Sequence, residues 1–563
     1  MTHEELFAKA TRLQQEGNLS EAISLYEALL HQNPKEAEIL HRLGLAHAQL
    51  GDMKKAIAFF EEAITLTPAD PVLYNNLGNA YKKNQQVDKA LASYQKAINL
   101  APDYAQAQNN LAGIYARQGM YKEALQHYRL AVHAEPDFAA AHYNLGLLLM
   151  SNHQLDAAYT QFKNVLALNP INTEAAFYRG VLDLEANRLT DAEDAFQRVL
   201  ALESNHVEAL TNLGVVALKR NDGQVAIDYF TKALALDNNH IEARNNLAAT
   251  FIHHDRFENA LMHYDVLLKQ EPLNSEYLYN SGVAQMALGH LNEAITHFEA
   301  LLTQNPDHFA TLNNLAAIYI RMEDRIKAKE LLQRAIAANP LDKSSQHMLR
   351  ALSGGAEEAQ TCPEYAANLF NNYALYYDEH LQKYLHYAIP NQIVAVLDAL
   401  SVEKVAHVLD LGCGTGLSGQ ALRDISQQLD GVDISSKMLE HARAKGIYDH
   451  LIEADALTFL KDTAEHYGLI VAADVLPYFG ELNDLFEAVK ARLNPPGYFI
   501  FTTEISTTTP WQLQPSARFA HNADYLQQLA TKYGLEQCYQ REVVARHQDG
   551  KELAVLLIAL QSK

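Results

Sequence analysis

Cysteine is scarce in this chain. Cys362, Cys413 and Cys538 are the whole supply in 563 residues. Their spacing fits neither a metal cluster nor a disulfide framework, so a stapled fold is excluded and a reducing compartment fits. Positive charge is also short. Lys and Arg number 45 against 68 Asp and Glu, for a net charge of −23. No basic tract occurs and no basic residues alternate with aromatics, which argues against a nucleic-acid partner. An acidic surface suits a basic or neutral partner, or serves solubility alone. Long hydrophobic runs are missing. Stretches such as Leu147–Met150 fall far below the length needed to cross a bilayer, so no membrane insertion is expected. The start, Met1-Thr-His-Glu-Glu-Leu-Phe7, has no apolar run of the signal-peptide kind, and the cytoplasm is the expected location. The 25 histidines are scattered. Neither His253-His254 nor His380 with His386 has the spacing of a helical metal site, and no metal is expected.

A chain of this length needs at least two domains. What fills its first part is periodicity. Proline stands at 34, 68, 102, 136, 170, 272, 306 and 340, steps of 34 or its multiples, with Ser204 and Asn238 in the two gaps. Alanine lies twelve residues before each of these, from Ala22 and Ala56 to Ala294 and Ala328. Four residues after the alanine comes an aromatic (Tyr26, Phe60, Tyr94 and onward to Phe298), except at Leu332. A small residue recurs upstream: Gly44, Gly78, Ala112, Gly146, Gly180, Gly214, Ala248, Gly282 and Ala316. This pattern is that of the tetratricopeptide (TPR) repeat, a helix–turn–helix unit of 34 residues. Each helix pair leaves an apolar face that only the next pair covers. About ten repeats are expected in residues 1–352, forming an all-α superhelix closed by a capping helix over Leu341–Leu352.

Two residues before the small position stands asparagine in seven repeats: Asn76, Asn110, Asn144, Asn212, Asn246, Asn280 and Asn314. Arg42 and Tyr178 break the series. An amide side chain both donates and accepts, and asparagine disfavours helix interiors. A column of them on a concave face can hold the backbone of an extended peptide. The array is similar in this to the superhelix of the O-linked N-acetylglucosamine transferase, which implies a protein or peptide in the groove. The alternative is that asparagine is simply tolerated at this place.

Beyond a linker at 353–363, residues 364–563 carry a different signal. Val408-Leu-Asp410-Leu-Gly412-Cys413-Gly414-Thr-Gly416-Leu417 reads as a buried strand running into a glycine loop and a helix over Gly419–Leu429. Glycine at alternate positions brings backbone close to a ligand, and helix amides face it. The third glycine comes too early for a dinucleotide fingerprint. The loop resembles motif I of class I S-adenosylmethionine (AdoMet) methyltransferases. Further strand ends follow in order: Leu429–Asp433, Leu451–Asp455, Leu469–Asp474 and Asn494-Pro-Pro-Gly497. Val543–His547 and Ala554–Leu560, split by Asp549-Gly550, look like a closing hairpin. The resemblance implies an α/β Rossmann-like domain with a seven-stranded sheet, and AdoMet as cofactor. It assigns cofactor contacts to Asp410, Gly412, Cys413, Gly414, Gly416, Asp433, Ile434, Asp455 and Ala456. Cys413 reads as a small spacer. Taken singly, Asp433 and Asp455 also read as ordinary helix caps, but five strand ends in the right order are not a coincidence. The Asn-Pro-Pro run lies after the wrong strand for an amino-group methyltransferase.

Tyr365–Leu400 reads as helical and is rich in aromatics. Phe370–Asp378 resembles the N-terminal cover of small-molecule methyltransferases and puts Tyr373 by the cofactor. Methyl transfer is a displacement that needs positioning, and a base only if the acceptor must lose a proton. Candidates for the transfer site are Asp474, Tyr478 and the insertion Trp511–Tyr525, which resembles a segment of bacterial methyltransferases bearing their own TPR array. There His521 is a candidate base and Arg518 a candidate for holding an acidic group, while His521-Asn522 reads equally as a helix start. The expected function is an AdoMet-dependent methyltransferase whose TPR array recruits a protein or peptide. The alternatives are a small-molecule methyltransferase docked by its repeats, and an adaptor with a degenerate catalytic domain.

Overall fold

The computed structural model describes residues 2–353, 361, 363–374, 377–379, 381, 385–548 and 551–563, without the side chains of 372, 373, 379, 548 and 551. Most of the linker expected at 353–363 therefore lies outside the described residues. The chain divides into two compact units, Met1–Leu247 and Ala248–Lys563.

The first unit is built from helix pairs. They run from His3–Gln15 with Leu19–Gln32 to Val207–Lys219 with Gly223–Leu236, each helix 13 or 14 residues long. Local sequence sets the ends. Asp70 caps the helix Pro71–Lys83 by accepting from the Val72 N–H at 2.8 Å, and Pro71 occupies the first turn, where no N–H is needed. The recurrent prolines stand just past the second helix of each pair. The periodic alanines and aromatics are the core: Ala22, Ala56, Phe60, Ala90 and Tyr94 are at most 1% exposed. The small position has a direct physical cause. A Cβ on Gly44 would meet the Phe60 ring at 2.5 Å, and one on Gly78 would meet Tyr94 at 2.6 Å. The aromatic of the second helix lies flat on the backbone of the first.

The second unit continues the pattern through Phe309–Arg321 and Arg325–Ala338 and ends it with the helix Lys343–Ser353. Ten helix pairs and a final helix match the expected array. The α/β domain follows, with strands β1 (Val405–Leu411), β2 (Ser426–Asp433), β3 (His450–Glu453), β4 (Tyr467–Ala472), β5 (Leu493–Ile505), β6 (Trp511–Leu513), β7 (Phe519–His521), β8 (Leu535–Gln548) and β9 (Lys551–Ser562). β3, β2, β1, β4 and β5 are parallel in that order. β9 returns antiparallel to β5, and β8 pairs with β9. These make the expected seven strands, with the turn at 549–550 outside the described residues.

Among the described residues the sheet has nine strands, because the insertion adds two. Glu504 of β5 pairs with Val555 of β9 on one side and with Ala520 of β7 on the other. β4 has already ended at that level, its last pair being Ala472 with Phe501. β7, with β6 folded back on it, thus roofs the end of β4. Two apolar layers flank the sheet, one around Leu409, Ile470, Phe499 and Phe501, the other around Ile393, Val408, Leu469 and Ile500. Two boundaries differ from expectation. The helix after the glycine loop spans only Leu417–Leu422, and β2 begins at Ser426. The aromatic segment is not one helix but Pro363–Tyr373, Tyr377–Glu379 and Ile389–Ala399.

Candidate active site

β1 delivers Asp410 to the interior, and the chain then turns through the glycine loop. Gly412 and Cys413 donate their N–H groups to the Val432 carbonyl at 2.8 and 2.9 Å, tying the loop to β2. Gly412, Gly414 and Gly416 all have positive φ, between 55° and 93°, backbone that L side chains rarely adopt. Asp433 at the end of β2 closes the loop: its carboxylate accepts the Gly414 N–H at 2.8 Å and the Ser435 N–H at 2.9 Å. Ile434 is half-buried beside it. Asp455 caps the helix Ala456–Asp462 by accepting from the Thr458 N–H at 3.0 Å, and Ala456 opens that helix.

The acids of the loop are held out of water. Asp410 is fully buried; one oxygen accepts from the Tyr448 hydroxyl at 2.6 Å and the other has no partner among the described residues. Burial pushes its pKa up to about 7, against the lowering by Tyr448, with the Asp433 charge adding to the rise. Burial likewise raises Asp433 to about 6, against its backbone hydrogen bonds. Burial also raises the Cys413 thiol well above its usual value, which suits a spacer and not a nucleophile. Tyr448 was not legible as a site residue. Its ring fills the space a Cβ would need on Gly431 (2.9 Å) and approaches Gly416 (3.1 Å) and Gly419.

The helical segment before β1 reaches the same loop. The Thr415 hydroxyl donates to Asp378, which also pairs with Lys445 at 2.6 Å. Asn371 accepts from the Ser435 hydroxyl at 2.7 Å. The Tyr377 ring lies 3.8 Å from where a Gly414 Cβ would stand. The Tyr373 side chain lies outside the described residues.

At the end of β4, Asp474 adopts a left-handed backbone (φ 63°), fixed by its N–H on the Thr502 hydroxyl at 2.8 Å. One of its oxygens accepts from Arg518 at 2.6 Å and the other from Arg546 at 2.9 Å. The other two nitrogens of Arg518 donate to Glu504 at 2.6 Å and to the Tyr478 hydroxyl at 3.2 Å. Burial works against the charge on Asp474, yet the two guanidiniums hold its pKa below the usual carboxylate range. Arg518 is charged despite its own desolvation, chiefly through Asp474. The acids it holds are therefore the protein's own. Burial raises the Tyr478 hydroxyl, and Phe370 meets its ring edge-on at 5.4 Å. Asp474, Tyr478 and Arg518 thus lie together in the structure.

His521 has another place. It is fully buried, its Nε2 bonded to the Gly480 carbonyl at 3.1 Å and its Nδ1 to the Thr503 hydroxyl at 2.5 Å. A carbonyl only accepts, so Nε2 carries the proton and Nδ1 accepts from Thr503. Burial depresses its pKa to about 4. The ring is neutral with no lone pair to spare, and it pins β7 to β5 instead of acting as a base. The asparagines of the array are half-buried. Several are engaged between repeats: Asn110 donates to Asn75 at 3.0 Å, Asn144 to Asn109 at 2.9 Å, and Asn76 meets His41 at 2.8 Å. Asn212 bonds the Glu208 carbonyl within its own helix, and Asn280 donates to the Tyr264 hydroxyl at 2.9 Å.

Helix pairs of this geometry and a Rossmann-like sheet with a glycine loop define a repeat array joined to a methyltransferase domain. Comparison with known families agrees. Tetratricopeptide-repeat models match residues 7–71, 71–133, 143–202, 182–241, 245–309 and 285–353, a further TPR model matches 114–153, and a methyltransferase-domain model matches 408–497. The chain carries TPR repeats followed by a methyltransferase domain. Among curated proteins it is similar to a malonyl-[acyl-carrier protein] O-methyltransferase of Salmonella typhimurium, 28% identical over 31% of this chain and 69% of that one. It is also similar to a ubiquinone biosynthesis O-methyltransferase of Bordetella avium (25%; 22% and 52%) and a trans-aconitate 2-methyltransferase of Escherichia coli (32%; 20% and 46%). The chain thus spans between about half and two thirds of the length of these relatives. Similar solved structures include YrrB, a TPR protein with an unusual peptide-binding site (28% identity, TM-score 0.31, 33% of this chain and 95% of that one), and pilF of Pseudomonas aeruginosa (20%, 0.34, 37% and 95%).

Proposed function

We propose that the chain is an AdoMet-dependent O-methyltransferase whose repeats recruit a protein or peptide partner, with residues 1–352 as the array and 364–563 as the catalytic domain. The observation that carries the cofactor reading is the buried Asp410 oxygen with no partner, set behind a glycine loop that Asp433 closes. Two buried carboxylates of raised pKa favour a cationic ligand, and the sulfonium and ammonium of AdoMet supply positive charge. AdoMet when bound supplies an electrophilic methyl group. Gly412, Cys413, Gly414 and Gly416 provide backbone without Cβ obstruction along most of the loop, Asp433 retains lone pairs for ribose hydroxyls, and Ile434, Asp455 and Ala456 line the next strand ends. The names of two of the curated relatives, both O-methyltransferases, support oxygen as the acceptor atom.

For the array, the half-exposed asparagines support peptide capture. Asn110 and Asn144 donate across repeats through their amide nitrogens and Asn76 meets His41, which leaves their oxygens as acceptors; Asn212, Asn246, Asn280 and Asn314 are the other residues assigned to capture. The cytoplasm remains the expected location.

Calorimetry with S-adenosylhomocysteine tests the cofactor site. Micromolar binding is expected, weakened by about 10-fold or more in Asp433→Ala through loss of charge-assisted hydrogen bonds. Absence of binding to both S-adenosylhomocysteine and AdoMet would remove the enzyme reading. Replacing Asn212, Asn246 and Asn280 by alanine should reduce partner capture and leave cofactor binding alone.

A further inference from the structure

The side chains described next to Asp474 are engaged with one another. His521 has both ring nitrogens occupied. Asp474 is paired on both oxygens, and an acid held below its usual pKa is a weak base. Glu504 sits in an ion pair with Arg518 at 2.6 Å. The Tyr478 phenol, raised by burial, stays protonated and receives a hydrogen bond from Arg518. Among the described residues, none of these side chains stands free beside Asp474 to take a proton, which suits an acceptor that arrives already ionised.

One cation in the cluster is not used up. Arg518 has a protein partner on each of its three nitrogens. Arg546, on β8, gives only its Nη1 to Asp474, and its Nε and Nη2 have no partner among the described residues. Its side chain is 12% exposed, so the remaining edge of the fork is neither saturated by protein nor fully open to water. A guanidinium edge fixed by an acid on its other side suits a planar two-oxygen anion. The position is right as well. Arg546 holds Asp474, which follows β4, and on β4 Val471 pairs across the sheet with Asp410 at the entrance to the glycine loop.

We propose that the methyl acceptor is a carboxylate seated on the open edge of Arg546, and that the product is a methyl ester. The proposal rests on the methyltransferase reading above. The carboxylate oxygen forms the new bond to the methyl carbon as the methyl–sulfur bond breaks, and that electron pair stays on sulfur. No proton moves. Asp474 and Glu504 balance Arg518 and Arg546, so the acceptor's negative charge has no counterpart in the cluster and meets the sulfonium's positive one. The reaction extinguishes both, a step that a poorly solvated site favours.

The test uses full-length protein saturated with S-adenosylhomocysteine and titrated with propionate and with its uncharged isostere propionamide. Propionate should bind at least about 10-fold more tightly than the amide, and R546Q should erase the difference by lowering propionate affinity about 10- to 100-fold. R546K should recover part of it, and the affinity for S-adenosylhomocysteine should stay that of the wild type. Equal affinity of the two probes for the unmodified protein, or no binding of propionate, overturns the proposal whatever the fate of the variants. A cell extract given methyl-labelled AdoMet supplies the second readout: mild base should release the label as methanol, and base-stable label is the contrary result. Failure of S-adenosylhomocysteine itself to bind is a different outcome, which removes the underlying enzyme reading.

Discussion

Asp410 keeps one carboxylate oxygen buried and unbonded, and it stands next to a second buried acid, Asp433. Their pKa values, about 7 and about 6, lie above the ordinary carboxylate value of 3.8. The fold therefore prefers both protonated. That preference adds stability fully below about pH 4 and loses it as pH rises through 6 and 7, by roughly 1.4 kcal/mol for each pH unit that separates the folded from the ordinary value. A cationic ligand reverses the preference. The rise in melting temperature on adding AdoMet should be larger at pH 8 than at pH 5.5, and calorimetry near pH 6.5 in two buffers of different ionisation enthalpy should detect released protons. Tyr448→Phe removes the hydrogen bond that lowers Asp410; the onset of tight binding should move to higher pH. At this scale the sequence was informative where chemistry is local. Asp410, the glycines and Asp433 follow one another at strand ends and can be read from spacing. Tyr448, Asn371 and Arg546 act across separate elements, and no spacing carries them. His521 shows the converse limit: residue type and position suggested a base, and burial with two satisfied nitrogens decided otherwise.

Among elements, the helix pair was almost wholly legible, because each of its rules is a contact repeated every 34 residues. Gly44 illustrates the rule's sign. Alanine there gains about 0.5–1 kcal/mol of helix propensity, but its Cβ would lie within 2.9 Å of three Phe60 ring atoms. Overpacking of that kind costs about 1–3 kcal/mol. Gly44→Ala should therefore destabilise the chain by about 1 kcal/mol in urea unfolding, and a gain in stability would contradict the aromatic-on-glycine contact. The sheet was legible as seven strands because its members are marked by apolar runs and acidic ends. β6 and β7 escaped notice. At three residues each, they are too short for alternation to register, and they exist because β5 outruns β4 and leaves an edge to be paired.

In the second compact unit, the last helix of the repeats is also part of the catalytic domain's interior. Ala351 and Met348 pack with Leu513, Ala517, Phe519, Tyr365 and Trp511, and His347 lies 5.2 Å from the Tyr365 ring. Charging this seam should be felt in the enzyme. Ala351→Asp places a carboxylate at a fully buried position, a change worth about 3 kcal/mol or more. Faster hydrogen exchange in β6 and β7 than in the first unit's helices would be its signature. No periodicity announces such a seam, since it joins a repeat to something that does not repeat. Its consequence is one of inheritance. A 34-residue module duplicated or deleted far upstream leaves the catalytic core intact, whereas the same event next to Ser353 removes side chains that core depends on. Lineages can thus revise how the array grips its partner without disturbing the chemistry, so long as they edit from the far end.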